Sequence, residues 1–295
     1  MKFNRLICVS LSALIAIGLA SCGPKSSDKE KDTPEVGQAD SLKGQIEGLM
    51  DDMPAPSEIP YMLQTTGAEF NESLINSRDK ADQYASITNK AALNLGVYAA
   101  DIGYLVSYEK TQDAIDYLNS AKALADGLGI IGSFDLDVLS RFEKNLSNKD
   151  SLAQLLDATV KDTEKYLKDD NRNKLSAMVV AGSFIESLYI STGLVKTYPK
   201  DLLPTDAKNL ILTPLIRVVL DQKESVSVLV KMLSGVEQTE PITAIVADLK
   251  ALQTQYAALN IEEQIKNNKA NLVLSDKNLV EITNIVEKLR KSITE

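Results

Sequence analysis

The sequence predicts an all-α fold, a single multi-helix, bundle-like domain of about eight to ten helices behind an N-terminal tether. Three observations predict it. Beyond Ile87 the apolar residues recur at spacings of three and four almost everywhere. Strand-like alternation is absent. Gly, Pro, Asn, Ser and Thr stand where helices of that period need to stop and start.

The chain begins with a short positive region, Lys2 and Arg5, followed by an apolar run from Leu6 to Leu19 broken only by Ser10, Ser12 and Gly18. About 14 apolar positions fall short of the roughly 20 that cross a bilayer, so residues 1–21 read as a secretory leader. The run ends in Leu19-Ala20-Ser21-Cys22, which resembles the lipobox of bacterial lipoproteins. That resemblance implies cleavage before Cys22 and lipidation of its sulfur, with acyl chains holding the protein on a membrane at roughly 0.8 kcal/mol per buried methylene. Cys8 would leave with the leader and Cys22 would become the anchor. The two cysteines of the chain would then leave no disulfide and no free thiol.

Residues 22–40, after the leader, are rich in Lys, Asp, Glu, Ser, Pro and Gly and read as the lipidated cysteine and a flexible tether. Eighteen such residues reach about 20–25 Å, enough to hold a folded body clear of headgroups. The mixed run Asp28-Lys29-Glu30-Lys31-Asp32 is similar to the acidic stretch that follows the lipidated cysteine in surface-exported lipoproteins of Bacteroidota.

The helical domain is expected over 41–295. Ser41 to Asp51 forms a first short helix, Pro54, Pro56 and Pro60 interrupt it, and a second short segment follows around Tyr61 to Thr66. Ala114, Leu118, Ala121, Ala125 and Leu128 trace one apolar stripe, closed by Gly127 and Gly129. Leu152, Leu155, Leu156, Thr159, Tyr166 and Leu167 trace another, capped by Asn148 or Ser151. Thr239 precedes Glu240-Pro241 in a first turn. Ser275 and Asp276 open a last helix with a stripe of Leu279, Ile282, Val286, Leu289 and Ile293. Short connections favour antiparallel neighbours.

Two segments differ from these amphipathic helices. Ala91 to Ser107 carries the single charge Asp101, and Leu175 to Val195 carries the single charge Glu186. Helices apolar on all sides belong in the middle of a bundle. Their sequences also match loosely, a glycine, an aromatic two residues on, then an acid: Gly96-Val97-Tyr98-Ala99-Ala100-Asp101 against Gly182-Ser183-Phe184-Ile185-Glu186. Gly96 and Gly103, like Gly182 and Gly193, share a helical face where another backbone can come close. A buried carboxylate needs a partner or a raised pKa. On helical spacing Asp101 has Tyr98 and Tyr104 one turn away, and Glu186 has Ser183 and Tyr189. Three roles fit these residues: a hydrogen-bonded structural group that fixes helix register; the polar wall of a ligand or cation cavity made by Asp101, Glu186, Tyr98, Tyr104 and Tyr189; or the paired acids of a hydrolase.

Composition narrows the function. With no His there is no imidazole base and no Ser-His or Cys-His nucleophile, and with no Trp a sugar-cleaving cleft would lack its usual platforms. No catalytic residue, cofactor or metal site is expected, and the chain is read as a non-enzyme. Gly127-Leu128-Gly129-Ile130-Ile131-Gly132 looks like a dinucleotide fingerprint but ends a helix instead of opening one. The formal net charge is −9, and −11 once Lys2 and Arg5 leave with the leader, which disfavours nucleic acid as a partner. The Glu287-Lys288-Leu289-Arg290-Lys291 run reads as a solvated helix face.

The stretch Ile59 to Asn71, followed by Ala92 to Asp101 and by Tyr117-Leu118 through Lys122 to Asp126, resembles a group of helical lipoproteins of Bacteroidota with no assigned activity. The resemblance covers about the first half of the part after the tether, and implies an envelope location and an all-helical fold. The combined expectation is a cell-envelope, outer-membrane lipoprotein, periplasmic or surface-facing, held by the lipid on Cys22. It would act as a non-enzymatic binding or interaction module for a small ligand or an envelope protein. Its rivals are a purely structural or assembly lipoprotein and a carboxylate-dependent hydrolase.

Overall fold

A computed structural model of the chain describes residues 36–130, 136–169, 172–198, 205–259, 261, 266–267 and 273–295. The expected leader, Cys22 and most of the expected tether lie outside the described residues. Within them the fold is all-α, without strands: eleven helices of eight residues or more and one single-turn helix. They run α1 (Val36–Asp51), α2 (Glu58–Thr65), the single turn α3 (Ala81–Ala85), α4 (Thr88–Ser107), α5 (Thr111–Gly127), α6 (Leu136–Lys144), α7 (Lys149–Asp169), α8 (Asn173–Thr197), α9 (Thr205–Asp221), α10 (Lys223–Ser234), α11 (Ile242–Ala258) and α12 (Lys277–Thr294).

Several elements differ in detail from the sequence expectation. Helix α1 begins at Val36, five residues before the expected Ser41. Helix α2 begins at Glu58 and takes Pro60 into its first turn, where a residue without an N–H loses nothing because that N–H has no partner inside the helix. Asn148 caps α7, its Oδ1 accepting the Ser151 N–H at 3.0 Å. Asp276, preceded by Ser275, caps α12: its carboxylate accepts from the N–H groups of Asn278 and Leu279 at 2.8 and 3.3 Å. Helix α5 closes as its glycines predict, with Gly129 at φ +68 and the Ile130 N–H returning to the Ala125 carbonyl at 2.9 Å.

The centre is the pair α4 and α8, which pack on each other more than on any other helix. Every residue of α4 from Ala91 to Ser107 is buried. Helix α8 is long and apolar enough to cross a membrane by composition, and 94% of its most apolar window is buried inside the fold instead. Two glycines permit the contact. A Cβ on Gly96 would lie 1.9 Å from the Val179 carbonyl oxygen, and one on Gly182 would lie 1.9 Å from that of Leu93. The backbones therefore touch directly, and each glycine fits against the other helix. The contacts advance together, Leu93 with Gly182 and Asp101 with Glu186, so the two central helices run parallel. Helix α12 runs antiparallel to both: Asn94 Nδ2 donates to the Ile293 carbonyl at 3.0 Å, and Lys196 near the end of α8 pairs with Glu287 near the middle of α12. The remaining helices surround this trio, with α5 and α7 against α4, α9 against α8, and α11 against α10 and α12.

Candidate functional site

The parallel crossing brings the two lone acids together. Asp101 and Glu186 are each 0% exposed and within hydrogen-bond reach of each other. The third member is Arg290 of α12, whose Nε and Nη2 donate to the two Glu186 oxygens at 3.1 and 3.3 Å. Its guanidinium also stands over the Tyr189 ring, 4.7 Å from the centroid. A forked, two-bond pair is the arrangement in which a buried carboxylate loses least on leaving water.

Charge balance then assigns the proton. Burial pushes the Asp101 carboxyl well above the usual carboxylate range, the negative charge of Glu186 pushes it further, and Arg290 and the Asn76 N–H oppose both. Burial raises Glu186 too, against the pull of Arg290 and of the hydrogen bond from Asp101. Burial works against the charge of Arg290, but Glu186 and Asp101 more than compensate and its pKa rises. Asp101 is therefore the proton holder and Glu186 the ion. Asp101 Oδ2 accepts the Asn76 N–H at 3.1 Å, whereas Oδ1 meets no donor among the described residues. A proton on Oδ1, given to Glu186, satisfies both carboxyl groups and leaves the cluster neutral.

Of the tyrosines named with these acids, Tyr189 lies under Arg290, whereas Tyr98 and Tyr104, joined by Tyr84 and Tyr117, serve the chain segment beside them. Tyr98 donates to the Ser77 carbonyl at 2.8 Å, and Tyr104 accepts the Asn71 N–H at 2.9 Å. Tyr117 donates to the Asn76 carbonyl at 2.6 Å, and Tyr84, which accepts from Asn76 Nδ2, donates to the Thr294 carbonyl at 2.8 Å. Residues 71–80 hold only two short 3-10 turns, so their buried backbone groups have little ladder of their own. Side chains of α4 and α5, Asp101 included, supply the missing partners. Burial pushes the Tyr98 and Tyr117 hydroxyls upward, and Tyr104 up to about 12, so all three stay neutral and able to hydrogen-bond. Against this segment lies a cavity of about 320 Å³ that reaches Ser77, Arg78 and Tyr117; Asp101 and Glu186 are not among the described residues that line it.

Sequence reasoning missed Arg290, Asn76, Tyr84 and Tyr117. Arg290 sits in a charged run, yet its side chain is only 17% exposed. The signal was its spacing, four residues after Val286 and three before Ile293, at the edge of the buried stripe of α12.

Of the other surface cavities among the described residues, two are of ligand size. One of about 340 Å³ lies between the α1–α2 connection and α7 and is lined in part by Asp157 and Glu164. Asp157 there is held by the hydroxyl and N–H of Ser57 at 2.6 and 3.2 Å. Burial pushes Glu164 up to about 7, against the pull of Lys168. The other, about 580 Å³, lies between α2 and α9. Among the described residues no group of three or more Cys, Asp or Glu is placed to hold a metal ion. Comparison of the chain with protein families, with curated proteins and with solved structures found no match.

Proposed function

We propose that this chain is a membrane-anchored envelope lipoprotein whose helical body is a non-enzymatic binding or interaction module. The observation that carries the anchoring is Leu19-Ala20-Ser21-Cys22 at the end of an apolar leader. Support for binding over hydrolysis comes from the two lone acids: both are fully buried, one is tied to Arg290, and neither can meet a substrate without opening the core. Their arrangement suits a clasp that locks α4, α8 and α12 in register. The open α2–α9 cavity, of about 580 Å³, falls in the size range of small-ligand sites.

The anchoring is tested by fractionation. Cys22→Ala is expected to move the exported protein out of the membrane fraction, and a variant that stays bound through a high-salt wash overturns the reading. A purely structural lipoprotein is the second reading, favoured by the sealed clasp. It predicts that no compound in a thermal-shift screen of cations, sugars, amphiphiles and peptides raises the melting temperature, because only a ligand of the native state does so.

A further inference from the structure

The α2–α9 cavity has a pattern of its own. Asn209, Thr213, Arg217 and Asp221 are spaced by four along α9 and form one polar stripe in its wall. Leu210, Pro214 and Val218 form an apolar stripe beside it, and Leu210 is 76% exposed. Among the described residues the polar stripe is unused. Thr213 is 6% exposed, yet among the described residues its hydroxyl has no hydrogen-bond partner, and Asn209 Oδ1 is likewise buried without one. In a helix a threonine hydroxyl normally bonds the carbonyl one turn back, as Thr159, Thr163 and Thr192 do here. Pro214 has no N–H to give to the Leu210 carbonyl, which leaves another acceptor on the same face. Arg217 and Asp221 make no ion pair among the described residues, although they stand four apart. The order, cation before anion, is the weaker one for pairing along a helix.

We infer that this groove binds an extended peptide segment of about five or six residues, its backbone on the polar stripe and its apolar side chains on the Leu210 stripe. The spacing carries the choice of ligand. Positions four apart on a helix rise by about 6 Å, and every second residue of an extended chain advances by about 6.6 Å, so each member of the stripe meets one peptide repeat. From Asn209 to Asp221 the stripe runs about 18 Å, the length of five or six extended residues. A carboxamide such as that of Asn209 accepts from a peptide N–H and donates to a peptide carbonyl at once. Arg217 and Asp221 then select opposite charges at one end of the peptide. A lipid chain would leave the polar stripe unsatisfied, and among the described residues no aromatic ring lines the groove to stack on a sugar.

This inference rests on the binding reading above, but not on the lipid anchor. Its test begins with random linear hexapeptides displayed on phage and selected against the purified protein. The enriched sequences are then synthesised with a fluorescent label and titrated by anisotropy. Asn209→Ala and Arg217→Glu are expected to weaken binding tenfold or more with little change in melting temperature. Thr213→Val is expected to weaken it too while raising the melting temperature of the free protein by about 2–4 °C, since it removes a buried hydroxyl without a partner. A merely structural role for Thr213 predicts the opposite shift. Affinities within twofold across all variants overturn the groove and leave the binding reading standing. Stabilisation by an amphiphile or an oligosaccharide, with no peptide enriched, overturns the peptide class. Failure of every compound overturns both readings.

Discussion

Asp101→Asn isolates the proton that folding has to take up. In the unfolded chain Asp101 is a hydrated carboxyl with a pKa of about 3.9; in the native core, burial and Glu186 hold it well above that. Between those two values the native state binds more protons than the unfolded state, so linkage makes stability fall as pH rises through that window. One proton amounts to about 1.4 kcal/mol per pH unit. Asparagine keeps the geometry: Oδ1 accepts the Asn76 N–H, Nδ2 donates to Glu186, and nothing titrates. The stability of the variant relative to wild type should therefore grow by about 1.4 kcal/mol per pH unit from about pH 4 upward. It should level off only where the native Asp101 begins to ionise. The assay is urea unfolding followed by far-ultraviolet circular dichroism between about pH 4 and pH 8. A difference that does not change with pH, or a variant less stable by the same amount throughout, refutes the shared proton.

Other expectations follow from the same geometry. Arg290→Met leaves Glu186 buried without its cation and should cost about 3–5 kcal/mol in urea unfolding near neutral pH, most of it recovered by adding Glu186→Gln. Gly96→Ala and Gly182→Ala drive a methyl into a facing carbonyl and should each cost at least about 3 kcal/mol, the upper end for overpacked interiors, or prevent folding. Glu164 has its pKa raised to about 7, so wild-type stability falls as pH rises from its unfolded value of about 4.3 to about 7. Glu164→Gln should flatten that part of the pH profile by at most about 4 kcal/mol, less to the extent that water screens this half-buried side chain.

The apolar stripes, the two apolar helices and the lone acids were all legible in the sequence, because a helix that carries one charge in seventeen or more residues has no solvated face to offer. The touching glycines were legible for the same reason. What covers the acids was not. Arg290 comes from a helix far along the chain and is flanked by exposed charges, and only the long arginine stem lets its head reach Glu186. Asn76 and Tyr84 lie where no period speaks, in and just after a segment whose backbone depends on α4 and α5 for its hydrogen bonds. The polar stripe of α9 was equally hidden: Asn, Thr, Arg and Asp four apart read as an ordinary surface until the packing leaves two of them buried without partners among the described residues.

One shared proton and one buried arginine clasp α4, α8 and α12 in a core whose acids are fully buried. Carbon-13 NMR of the carboxyl groups, titrated across neutral pH, addresses it residue by residue. The Asp101 signal is expected to keep its protonated position well above the usual carboxylate range while the Glu186 signal stays ionised, and Asp101→Asn is expected to leave Glu186 ionised. Two carboxyl signals that both move near pH 4, as hydrated side chains do, would contradict it.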